Sequence, residues 1–183
     1  VLERLETTYL QLYRENRRLM EYLYELDIPL PQGFTLAAGF LVNRSLSRAV
    51  TALVEKESDG ETIAEILTEA QKWRVPLVTS GAEEQLCNAV EEHVTALLSD
   101  PLSEQVSTAL HLLEVGERLG VVLNLWWAQT VFAQVCQRHL RILLSRRRHE
   151  ESVAHQVTLL RRLGERLGFG AVEGIPLEKW ESF

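Results

Sequence analysis

Glycine and proline are scarce in this chain, at 10 and 5 of 183 residues, and only 7% of the residues are aromatic. Such thin punctuation argues against a turn-rich sandwich or barrel and suits long helices. Cysteine is nearly missing: Cys87 and Cys136 stand far apart, in neither metal-binding nor redox spacing, which argues against a disulfide framework and for a reducing compartment. Positive charge is in deficit, the formal total being −7, and this disfavours a surface that wraps nucleic acid. No basic, apolar and small-residue series opens the chain as a secretory signal does, so the expected location is cytoplasmic. The one long uncharged run, Leu119 to Gln137, is broken by Gly120, Asn124, Gln129, Thr130 and Gln134. It reads as a buried helix rather than a membrane span. Methionine occurs once, at Met20, and the chain opens on Val1, so the expectation is a domain cut from a longer protein.

What is present is 46% hydrophobic and 25% charged sequence, enough for a single globular domain over residues 1–183 that buries roughly 70% of its unfolded surface. Leu2, Leu5, Tyr9, Leu12, Tyr13, Leu19, Leu23 and Leu26 recur at helical spacing until Pro29 and Pro31 stop the pattern, predicting a leading helix over residues 1–27. A second helix follows over Phe34 to Glu57, with Asn43 or Ser45 as an internal cap if the helix breaks there. Further helices read as Glu61 to Trp73, Ala82 to Leu98, Leu102 to Leu119, Leu125 to Ser145 and Glu150 to Leu167, followed by an irregular tail over 169–183. No period-two strand competes with them. The expected class is all-α, with antiparallel helical hairpins in a bundle or a short repeat-like array.

The repeat lies in the breaks. Short apolar exits follow the helices at Ile28-Pro29-Leu30, Val75-Pro76-Leu77, Val121-Val122-Leu123 and Phe169-Gly170-Ala171, at spacings of 47, 46 and 48 residues. One polar turn falls in each interval, at Ser58-Asp59-Gly60, Ser99-Asp100-Pro101 and Ser145-Arg146, so residues 34–168 divide into about three hairpins of armadillo or HEAT length. Gly116 to Gly120 and Gly164 to Gly168 both read Gly-Glu-Arg-Leu-Gly, with a terminal glycine suited to the left-handed conformation that closes a helix.

Few residues form a chemical constellation. His149 and His155 are six apart, about 240° around a helix, and cannot share a metal. Glu151 and His155 share a face as a solvated pair, and His93, His111 and His139 are isolated, so no metal is expected. Glu83-Glu84 and Glu91-Glu92 point to different sides of a helix, unlike the facing carboxylates of a glycosidase. No phosphate loop and no nucleophile elbow occurs, so no catalytic residue and no cofactor are expected. Arg138, Arg141, Arg146, Arg147 and Arg148 complement a helix C-terminus and lack the interleaved aromatics of a nucleic-acid surface.

Asn124-Leu125-Trp126-Trp127-Ala128-Gln129-Thr130-Val131-Phe132 is the informative stretch. Asn124 is placed to cap a helix. Leu125, Ala128, Phe132, Val135, Cys136 and Leu143 form the natural core stripe. Trp126 instead shares its side with Thr130, Ala133 and Gln137, with Gln129 adjacent. A flat ring among amides suits stacking on a sugar or seating another domain, and it equally suits cover by a neighbouring helix.

Asn124-Leu125-Trp126, then Ala128-Gln129 and Phe132, resembles the Asn-Leu-Trp-x-Ala-Gln-Asn signature of a helical region that follows the catalytic barrel in bacterial proteins related to family 57 glycoside hydrolases, the α-amylase and α-mannosidase relatives. Ala37-Ala38 with Phe40 to Arg44 is similar to that region's apolar helix ending in Leu-x-Asn-Arg. Thr130 departs from the pattern, where asparagine is expected.

The resemblance implies a non-catalytic C-terminal accessory domain of carbohydrate metabolism whose partner is the catalytic barrel of the same polypeptide, with a contribution to oligosaccharide binding. It marks Trp126, Asn124 and Gln129 as the carbohydrate-binding or docking residues. No nucleic acid and no membrane enter this expectation. The alternative is an independent helical scaffold for protein partners, which the coding sequence upstream of Val1 would tell apart.

Overall fold

A computed structural model describes residues 2–55, 61–146 and 151–169. The predicted turn at Ser58-Asp59-Gly60, the basic residues Arg147 and Arg148 with His149, and the predicted tail from Gly170 lie outside the described residues, as do the side chains of Arg141 and Arg146. The described residues form an all-α protein without a strand, in the order α1 Leu2–Glu25, α2 Gln32–Val54, α3 Glu61–Lys72, α4 Ser80–Ala96, α5 Gln105–Leu119, α6 Trp126–Arg146 and α7 Glu151–Arg166.

The helix boundaries have local causes. Pro31 fixes the extended residue before α2, and its carbonyl accepts the N–H groups of Phe34 and Thr35, so α2 opens at Gln32 rather than Phe34. That helix runs unbroken through Asn43, whose Nδ2 donates to the Gly39 carbonyl one turn earlier; Asn43 is no cap. Asp100 Oδ1 accepts Leu102 N–H, which holds residues 100–104 in turns and delays α5 to Gln105.

All four odd-numbered helices end alike. Asp27, Arg74, Gly120 and Gly168 have φ of 52°, 53°, 68° and 91°, at spacings of 47, 46 and 48 residues. Each donates its N–H three residues back, to Tyr24, Gln71, Glu117 and Glu165. The next residue donates five back in the first three cases, Ile28 to Leu23, Val75 to Ala70 and Val121 to Gly116. This paired bond pattern satisfies the last carbonyls of a helix and turns the chain out of it. The repeat is therefore written in the backbone as well as in the apolar exits.

Contacts divide the chain into two compact units, Val1–Ala82 and Glu83–Phe183. In the first, α1 packs on α2 and α2 on α3, around Met20, Ala37, Ala38, Val42, Leu46, Val50, Ile63, Ile66 and Trp73. The exit after α3 is strapped onto α2: Val75 Cγ1 lies 3.0 Å from where a Cβ on Gly39 would sit, Asn43 Nδ2 donates to the Pro76 carbonyl at 3.0 Å, and Asn43 Oδ1 accepts Val78 N–H at 2.6 Å. In the second unit α5 and α6 pack on α7 around Phe132, Leu112, Leu160, Leu163 and Leu167. Gly164 admits the Phe132 ring, whose Cε1 would lie 3.0 Å from an added Cβ, and Gly116 admits Leu123 at the same distance.

Candidate functional site

Among the described residues, the exit after α5 and the first turn of α6 form the most exposed apolar surface of the second unit. Val122 is 85% exposed, Trp126 67% and Trp127 49%. The stripe that faces inward takes Ala128, Val131, Phe132, Val135 and Leu143, all buried, and this leaves both indoles on the outer side at the helix start. Their ring centroids lie 6.4 Å apart with the planes tilted by 42°, so they form one bent ledge rather than two scattered rings.

The backbone beneath the ledge is held at three points. Asn124 Oδ1 accepts Trp126 N–H at 3.4 Å, closing the turn one residue before the helix cap. The Asn124 carbonyl accepts the Cys87 thiol of α4 at 2.9 Å. Burial and the neighbouring Glu91 carboxylate push the Cys87 thiol up, so it stays protonated and donates at neutral pH. Thr130 Oγ1 donates to the Trp126 carbonyl at 3.0 Å.

Of the three residues marked in the sequence, Trp126 and Asn124 come together directly. Gln129 is half-buried, and its Nε2 donates to the Leu167 carbonyl at 2.8 Å, which ties the end of α7 to α6. Its amide nitrogen is committed to the fold, and the second ring of the ledge is Trp127, which the sequence reading left out. The signal that would have found Trp127 is the repeat itself. The first two residues of α4 are Ser80-Gly81 and those of α2 are Gln32-Gly33, where α6 begins with Trp126-Trp127, although α2 opens one residue earlier after its left-handed residue than the other two. Open space surrounds Gly33 and Gly81, so a helix start of this kind requires no large side chain.

Other groups offer less. Burial alone pushes the Cys136 thiol up to about 12, which removes its nucleophile at neutral pH. Among the described residues no group of three or more His, Cys, Asp or Glu is placed to hold a metal ion, and no helix is long and apolar enough to cross a membrane. Buried His93 pairs through Nδ1 with Gln105, and His139 Nε2 donates to the Leu98 carbonyl at 3.0 Å. A cleft of about 200 Å³ in the first unit lies between Tyr24, Pro29, Thr35 and Trp73. Several of its polar groups are already paired: Arg74 with Asp27 at 3.2 Å, Lys72 with Glu21 at 3.5 Å, and the Trp73 N–H with Tyr13 Oη at 3.1 Å. No protein family, curated protein or solved structure matches the chain in the corresponding comparisons.

Proposed function

We propose that this chain is a non-catalytic helical accessory domain of a glycoside hydrolase related to family 57, and that the Trp126–Trp127 ledge with Asn124 seats it on the catalytic barrel of the same polypeptide beside the bound oligosaccharide. One observation carries the reading: two tryptophans stand exposed as the first two residues of α6, where α4 begins with Ser80-Gly81 and α2 with Gln32-Gly33. An exposed indole pair is a large apolar area left in water, and aromatic anchors of this kind dominate docking surfaces and sugar platforms. The likeness of the Asn124 to Phe132 stretch to the family's helical region supports the choice of neighbour. Gln129 supports the ledge from behind through Leu167.

The test has two arms. In the full-length polypeptide, Trp126→Ala should weaken substrate use or barrel docking by about 1–3 kcal/mol, the scale of a hot-spot aromatic. In this chain alone the same change should leave the thermal midpoint close to that of the parent sequence, because the ring is 67% exposed. The isolated chain should hydrolyse no α-linked oligosaccharide. Turnover abolished by changing one of its own carboxylates would overturn the accessory role, and a full-length enzyme indifferent to Trp126→Ala would overturn the ledge.

A further inference from the structure

The face of α1 that is turned away from its own unit is apolar. Leu5, Leu19, Tyr22 and Leu26 are 47%, 48%, 59% and 51% exposed, and Leu12 rests only its inner side on the core. Most residues in the same register of the other odd-numbered helices are buried. Leu19 corresponds to Ile66, Leu112 and Leu160, at 5%, 1% and 5% exposure. Leu26 corresponds to Trp73, Leu119 and Leu167, at 3%, 7% and 1%. Tyr22 corresponds to Val115 and Leu163, at 1% and 0%, and in α3 to the half-buried Glu69. The fold thus uses this face as an interface in α3, α5 and α7 and leaves it bare in α1.

We propose that the bare face is filled by α1 of a second copy of this chain, the two helices running antiparallel. Leu5, Leu12, Leu19 and Leu26 recur every seven residues, the spacing that keeps one seam against a partner helix. Setting Leu5 opposite Leu26 of the second copy sets Leu12 opposite Leu19 and overlaps the whole of α1, a seam about 36 Å long. The flanking charges then match. Arg4, one residue before Leu5, meets Glu25 of the second copy, one residue before Leu26, a pair that occurs twice by symmetry. A parallel pair would set Arg4 against Arg4 and Glu15 against Glu15. Head-to-tail growth through α7 is disfavoured, because the residues of α7 in register with the α3-facing side of α1 include Thr158, Arg161, Arg162 and Glu165, which are exposed and polar. The seam closes as a pair and involves neither indole of the ledge.

Light scattering on the eluting chain should give twice 20.9 kDa. The double variant Leu19→Glu, Leu26→Glu should run at the single-chain mass with unchanged far-ultraviolet circular dichroism, since both side chains are half exposed. Arg4→Glu should weaken the dimer at low salt, and adding Glu25→Arg should restore it. A chain that elutes at the single mass even when concentrated, or a dimer that survives the double leucine change, overturns the interface. A dimer that Arg4→Glu weakens and Glu25→Arg fails to restore overturns the antiparallel pairing.

Discussion

The two units build the same helix-on-helix contact from different chemistry. In the first, Lys72 at the end of α3 reaches Glu21 of α1 at 3.5 Å and lies 4.7 Å from the Trp73 ring centre and 5.8 Å from that of Tyr24. In the second, Arg166 at the end of α7 reaches Glu114 of α5 at 3.7 Å and pairs with Glu117. The register is shared, since Arg166 stands two residues before Gly168 as Lys72 stands two before Arg74, and Glu114 stands six before Gly120 as Glu21 stands six before Asp27. Tyr24 and Glu117 are likewise equivalent. A cation at the helix end is common to both, where it also meets the negative end of the helix dipole. A carboxylate receives it in both, joined by aromatic faces in the first unit and by a second carboxylate in the other. A repeat of this kind constrains where a charge sits more tightly than what receives it.

The difference is largest in the core beneath. Trp73 is buried against Tyr13 and Tyr24 in edge-to-face contacts at 6.3 Å and 6.2 Å, and its N–H donates to Tyr13 Oη, which in turn donates to Glu69. Trp73→Ala should destabilise the first unit by about 3–5 kcal/mol. Hydrogen exchange should show protection lost over α1 to α3 and retained over α5 to α7; equal loss in both would mean that the units do not differ in this way.

Tyr13 sharpens the contrast through pH. Its phenol is pushed from 10 up to about 12, first by burial and then by the Glu69 carboxylate. The folded unit therefore holds the proton more tightly than the unfolded chain, so this contribution is complete below pH 10 and disappears as pH rises to about 12. A titration of unfolding should show a basic-limb loss that Tyr13→Phe reduces in the first unit, while the second unit should keep a separate loss between pH 9 and about 12 from the buried Cys136 thiol.

The helix ends give effects of opposite sign. Gly120→Ala forces a Cβ into the left-handed region, φ 68°, and should lower stability by about 1–2 kcal/mol. Arg74→Gly relieves the same strain at φ 53° and should raise stability by about 1 kcal/mol, less whatever the exposed pair with Asp27 contributes. Thermal melts of the two variants test both signs. Smallest of all, Arg166→Ala and Lys72→Ala should each cost about 0.2–1 kcal/mol, because both pairs are solvent-exposed. A salt titration should erase the Arg166 effect and leave part of the Lys72 effect, which rests on ring contact.

Much of the fold was legible because helix signals are local. The spacing of leucines and tyrosines through α1, the prolines that end it and the glycines that close α5 and α7 act within a few residues of where they stand. Asp27 and Arg74 were not legible as left-handed residues, since nothing in their side chains requires that conformation; the bonds back to Tyr24 and Gln71 impose it. Asn43 offers an internal cap in the sequence that the fold does not use, for a related reason. Its partners, Pro76 and Val78, lie more than thirty residues away, and no local pattern announces them. At the ledge the exposure of Trp126 follows from the core stripe opposite it, whereas the role of Gln129 depends on where α7 ends. Trp127 needed the three helix starts to be set side by side.

Asn43 has one more consequence. With one amide it accepts the N–H of Val78 and donates to the carbonyl of Pro76, the two bonds that a neighbouring strand would supply from its backbone. The connector is thereby metered: an extra residue between Pro76 and Val78 would leave at least one of the two bonds unmade. The turn over residues 100–104, closed within itself by Asp100, carries no such gauge. These two connections therefore differ in kind, and a loop engineered into the chain should be absorbed at the second and rejected at the first.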